Sequence, residues 1–189
     1  MTAGAGTEQL GSYLNNHLAG STVGLELARR CRDHAADAPG RRELDGVVTE
    51  VGEDRETLLG VMRGLGVRPD PVRQGLAWLG EKATRLRLGL PFAGSRELAR
   101  LLELEALALG VEGKRGLWEA LRRTAPGHPA VAGLPLAELA ARATRQRELL
   151  ERHRLAAAVR AFGPPAGGSP QPTGSSSPSD STSSTDGLL

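Results

Sequence analysis

Leucine, valine and alanine recur at three- and four-residue intervals from about residue 8 to residue 161, the period of helices with one apolar face. The first predicted helix covers about 8–36, with Leu10, Leu14, Ser21, Leu25 and Ala28 on one stripe, and "ADAPGRR" ends it. The second covers about 42–66, with Val47, Val51, Leu58, Val61 and Leu65 in phase and Gly66 as its stop. "RPDP" then breaks the chain. Asp70 can cap a third helix with Pro71 at its first position, and that helix carries Val72, Leu76, Leu79, Ala83 and Leu86. "LPFAG" closes it, and Ser95 caps a fourth helix over about 95–124. Beyond the loop "TAPGHPAVAGLP", a fifth over about 135–161 uses Leu136, Leu139, Ala143, Leu150 and Ala157.

Residues 1–162 thus form one helical domain. Residues 163–189 are Pro, Gly, Ser and Thr with almost nothing to bury, so a disordered tail is expected there. At roughly 1.5 Å per residue the third helix is about 30 Å long, close to the second. It can therefore be a crossover that returns the chain to the starting end, leaving two antiparallel pairs, helix one with two and four with five. A sequential up-down bundle of all five is the alternative. Gly20 and Gly24 in the first helix, and Gly110, Gly113 and Gly116 in the fourth, each cost about 0.5–1 kcal/mol relative to alanine. Close approach of a neighbouring backbone or bulky side chain is the expected compensation; room for a ligand is the functional alternative.

Composition narrows the class. The 189 residues are 39% hydrophobic but only 3% aromatic, with no isoleucine, which suits helices and not a sheet sandwich. Of 24 basic residues only Lys82 and Lys114 are lysines. Net charge is +2, and +4 for the body once the tail acids Asp180 and Asp186 are set aside. That is too small to imply nucleic acid. The arginines of segment 136–160 (142, 145, 147, 152, 154 and 160) spread around the helix among Glu138, Glu148 and Glu151, as on a solvated face. A single Cys31 excludes an internal disulfide and suits a reducing compartment. There is no leader of basic residues followed by an apolar run, and no membrane-length apolar segment. The expectation is a cytoplasmic protein with no membrane or nucleic-acid partner.

The candidate chemistry lies on the apolar faces. At about 100° per residue, Leu98, Leu101, Leu109 and Glu112 all fall within about 40° of Glu105, so two acids interrupt the leucine row of "LLELEALALGVEGKRGLWEAL". Asp54 lies in phase with the valines and leucines of helix two, with Glu50 beside it. His17 sits near the face of Leu10, Leu14 and Ser21. An unpaired buried carboxylate protonates or finds a partner. Three partners are open: iron or manganese held by carboxylates and imidazole on facing helices; an ion pair with Lys82, Lys114, Arg85 or Arg115; or neutrality with bonds to Ser21, Thr57 or Tyr13. Glu105 and Glu112 are about 10 Å apart along one helix, too far for one metal to use both easily.

With its inward acids and expected crossover, the region 8–161 resembles the ferritin-like superfamily, and "YLNNHLAGS" and "EALALGVEGK" are similar to segments of bacterial proteins of that general type. The resemblance implies a carboxylate-bridged di-iron or di-manganese centre. That centre draws one Glu from each of two helices and Glu-x-x-His from each of the others. This chain lacks both such motifs: "TEVGED" has no His, Glu148-x-x-Glu151 leaves His153 displaced, and Glu112 is followed by Arg115.

Two functions are carried forward. One is a ferritin-like bundle whose inward acids form a polar core network, with a structural or interaction role and no catalysis. The other is an atypical Fe- or Mn-binding oxidoreductase or metal-storage-related protein using His17, Glu50, Asp54, Glu105 and Glu112. A homodimer formed through the small-residue ridge of helix four is a candidate assembly. Cys31 in "CRDH" reads as a surface helix terminus, His128 as a loop residue, and Trp78 and Trp118 as packing residues off the main stripes.

Overall fold

A computed structural model describes residues 3–70 and 95–164. Among them are five helices and no strand: α1 (Ala3–Asp33), α2 (Ala38–Gly64), α3 (Arg96–Thr124), the short α4 (Pro129–Ala132) and α5 (Leu136–Phe162). The third helix expected from sequence, with Trp78, Lys82 and Arg85, and nearly all of the tail lie outside the described residues.

Local chemistry sets the helix ends. Asp37 takes an extended backbone and its carboxylate accepts from Gly40 N at 2.7 Å, with Pro39 in the first turn, so α2 starts four residues before its expected position. Gly66, at φ +67°, ends α2 as expected; its N–H and that of Val67 turn back onto the carbonyls of Arg63 and Met62. Ser95 Oγ accepts from Leu98 N and caps α3. The expected loop after α3 contains a 3-10 turn at Ala125–Gly127 and then α4, whose Val131 plugs one end of the bundle. There α4 passes so close to α2 that a Cβ at Gly64 would stand 3.0 Å from Ala130 Cβ.

Two apolar clusters form the core. One gathers Leu14 and Leu18 of α1, Leu58, Val61 and Met62 of α2, Leu117, Trp118 and Leu121 of α3, and Leu136, Leu139 and Ala140 of α5. The other gathers Leu27, Ala28 and Cys31; Leu44; Leu101, Leu104, Leu107 and Val111; and Ala143, Leu150 and Ala157. Their membership fixes direction. α1 runs from the first cluster to the second, α2 and α3 both run back, and α5 runs with α1. The extensive helix contacts are α3 with α5, α1 with α2, and α1 with α3. Full burial of a Leu or Val contributes about 1.5–3 kcal/mol, so these clusters supply the main driving force.

Three expectations change. First, α3 turns a different face inward. Leu101, Leu104, Leu107, Val111, Trp118 and Leu121 are buried, whereas Leu109 is 71% exposed. Val111 lies about 120° around the helix from Glu105, so the row that packs lies on the side away from the two acids and the solvent-facing leucine. Trp118, expected off the stripe, is fully buried at its centre. Second, Cys31 is a core residue and not a surface terminus, because α1 ends two residues later while its last turn still packs on α3. Third, a Cβ on Gly20, Gly24, Gly110, Gly113 or Gly116 would meet nothing within 4 Å, so no close approach compensates these glycines.

Candidate functional site

Where the two clusters meet, three helices contribute a buried ionic layer. Asp54 of α2, 2% exposed, projects from the same face as Val47, Val51 and Leu58. Its two oxygens have separate cationic partners: Lys114 Nζ of α3 donates to Oδ2 and Arg142 Nη2 of α5 to Oδ1. Lys114 also donates to Gln146 Oε1 at 2.6 Å, and Gln146 Nε2 donates to Glu50 Oε2 at 2.7 Å. Arg142 reaches outward with Nη1 to Glu53 Oε2 at 2.7 Å, while its Nε is buried without a partner among the described residues. Burial pulls the Lys114 ammonium below the usual lysine range against the attraction of Asp54. Burial acts the same way on Arg142, but the bonds to Asp54 and Glu53 prevail and hold its guanidinium above the ordinary value. Removing one member of such a set strands a buried charge, which costs about 3–5 kcal/mol, whereas the intact set is worth far less than that against apolar packing.

The other acids singled out from sequence stand apart. Glu105 accepts from Arg154 Nη1 at 3.3 Å on the flank between α3 and α5. Glu112 accepts from Arg115 Nη2 at 2.6 Å and Arg147 Nη1 at 3.4 Å; the Arg115 hydrogen bond holds its carboxyl below the usual range. Both side chains are more than a third exposed, so they are flank residues and not core residues. His17 packs edge-on against Tyr13, with ring centroids 4.6 Å apart, and burial lowers its pKa. Of the five candidates, Glu50 and Asp54 share one network, through Gln146 and Lys114; Glu105, Glu112 and His17 do not join it.

A second buried acid, Glu103, was not foreseen. It faces α1, with His34 Nδ1 at 2.9 Å and Arg30 Nη1 at 3.8 Å, and it helps burial push the neighbouring Cys31 thiol up to about 12. Its spacing of four and eight residues from Leu107 and Val111 was the available signal. Arg142 and Gln146 were likewise missed, although they fall three residues after Leu139 and Ala143 on the inward side of α5.

This arrangement is one of charge neutralisation. Among the described residues no group of three or more His, Cys, Asp and Glu side chains is placed to hold a metal ion. The di-metal centre that a ferritin-like resemblance implies does not fit the layer, because an ammonium and a guanidinium occupy the space that a cation would need. No described helix is long and apolar enough to cross a membrane. Comparison with protein-family models, with curated proteins and with solved structures gives no match.

Proposed function

We propose that this chain is a ferritin-like helical-bundle protein without a metal centre, with a structural or interaction role and no catalysis, in which the inward acids serve an internal ionic network. The observation that carries the reading is Asp54, the most deeply buried acid among the described residues, bonded on one oxygen to Lys114 and on the other to Arg142. A carboxylate with a protein cation bonded to each oxygen is already neutralised, which disfavours both a metal ion and the abstraction of a substrate proton. The ferritin-like part of the reading draws support from two antiparallel pairs, α1 with α2 and α3 with α5, packed around one core.

The deciding experiment offers iron, manganese and zinc in turn to the full chain and to a Glu50→Ala, Asp54→Ala variant, then measures metal retained after desalting. The expected result is no stoichiometric metal in either protein. Stoichiometric metal in the parent that disappears in the variant would overturn the reading and restore the oxidoreductase or storage alternative. Homodimerisation belongs to the same proposal, through the outward glycines Gly110, Gly113 and Gly116 of α3. A clean monomer by light scattering at micromolar concentration removes that part alone.

A further inference from the structure

Neither apolar cluster takes a residue from α1 between Leu18 and Leu27, from α2 between Leu59 and Val48, or from α3 between Val111 and Leu117. On α2, α3 and α5 the ionic layer fills this level. On α1 the same level holds Gly20, Ser21, Thr22 and Gly24, with Val23 and Leu25 half-buried among them. The hydroxyls of Ser21 and Thr22 both donate to the Leu18 carbonyl of their own helix, at 2.7 and 3.3 Å, and so do not reach across to the layer. Gly20 and Gly24 face open space. Hydroxyl back-bonding tends to bend a helix, and glycine is its poorest non-proline former. α1 therefore crosses the middle of the bundle on residues that belong to neither cluster, one half held by Leu14 and Leu18 and the other by Leu27, Ala28 and Cys31.

We infer that the ionic layer divides the bundle into two units that open separately, with the Gly20–Gly24 stretch of α1 as the joint between them. The layer ties α2, α3 and α5 at one level through directional bonds, while apolar packing, the main source of folding cooperativity, is thinner there, with small side chains such as Val51 of α2 and Ala143 of α5. Opening of the Cys31 end then needs no disruption around Trp118. This goes beyond the proposed role as a bundle without a metal centre, and it stands whether or not the protein binds a metal elsewhere.

The chain's single cysteine makes the inference measurable, because Cys31 is buried in one unit only. Thiol labelling of the full chain without denaturant reports how often that unit opens. Two variants on α3 are compared, Leu104→Ala in the cluster that holds Cys31 and Leu121→Ala in the other; both leucines are buried. Leu104→Ala is expected to raise the labelling rate at least about tenfold, and Leu121→Ala to change it by less than about twofold, although both weaken global stability in urea. Equal effects of the two variants, large or small, would overturn the inference. Amide exchange along α1 gives a second reading: amides of 22–26 should exchange faster than those of 14–18 and 27–31, and uniform protection would refute the joint.

Discussion

Lys114 brings a full charge into the bundle and uses two of its three N–H donors there, on Asp54 and Gln146. Replacing it with Met leaves Asp54 to Arg142 alone. Urea unfolding should report a loss of about 3–5 kcal/mol, and a triple change of Asp54, Lys114 and Arg142 to apolar residues of similar volume should recover most of it. A triple variant no better than Lys114→Met would mean that the cost comes from packing and not from stranded charge. His17 allows a pH test. Burial lowers its pKa from the ordinary 6.5, so as pH falls through 6.5 the unfolded chain takes up a proton before the folded one does. Stability should therefore decline over that range until His17 itself protonates. Proton NMR of the ring should titrate below 6.5, and a His17→Gln variant should lose this part of the pH dependence.

The helices show what glycine costs when nothing else needs it. Gly113 and Gly116 of α3 face solvent with open space about the missing Cβ. Changing each to alanine should raise stability by about 0.5–1 kcal/mol in thermal or urea unfolding; a loss instead would point to a surface that needs the bare backbone. Gly40 is more crowded, since a Cβ there would stand 3.0 Å from the Asp37 carboxylate and 3.1 Å from the His153 ring, and both side chains would have to shift to admit it. At this scale much was legible from the chain. The number of long helices in the described part, the Ser95 cap and the Gly66 stop all follow from local residue chemistry. The inward face of α3 was harder, because leucines lie on several sides of that helix. The row through Leu98 and Leu109 competes with the row through Leu104 and Trp118. Only the second offers the large, closely spaced apolar volume that three neighbouring helices can cover. The ionic layer was half legible: Asp54 and Glu50 are in phase with apolar residues of their own helix. Their partners Arg142 and Gln146 depend on the register between helices distant in sequence, and no periodicity encodes that.

Taken whole, the molecule carries a belt of arginine–carboxylate pairs over its surface. Arg32 with Asp33, Arg115 with Glu112, Arg122 with Glu119 and Arg154 with Glu151 each hold the carboxyl below its usual range, mainly through the arginine hydrogen bond. Their contribution is present above the ordinary carboxylate values of 3.8 for Asp and 4.5 for Glu, and is lost as pH falls through the lowered folded values. Acid unfolding should be sharper at low salt than at high salt, because these pairs are exposed and screened; identical acid midpoints at both ionic strengths would assign the transition to the buried layer instead. One close contact reaches further than its size suggests. At the end of α2, Gly64 leaves the gap into which Ala130 fits, and the adjacent Val131 seals the apolar cluster below. The turn that carries α3 into α5 is thus seated against a helix with which it shares no stretch of chain. A single methyl group added at Gly64 would register first in that turn, as a seal lifted off the end of the bundle, before α2 itself lost a single hydrogen bond.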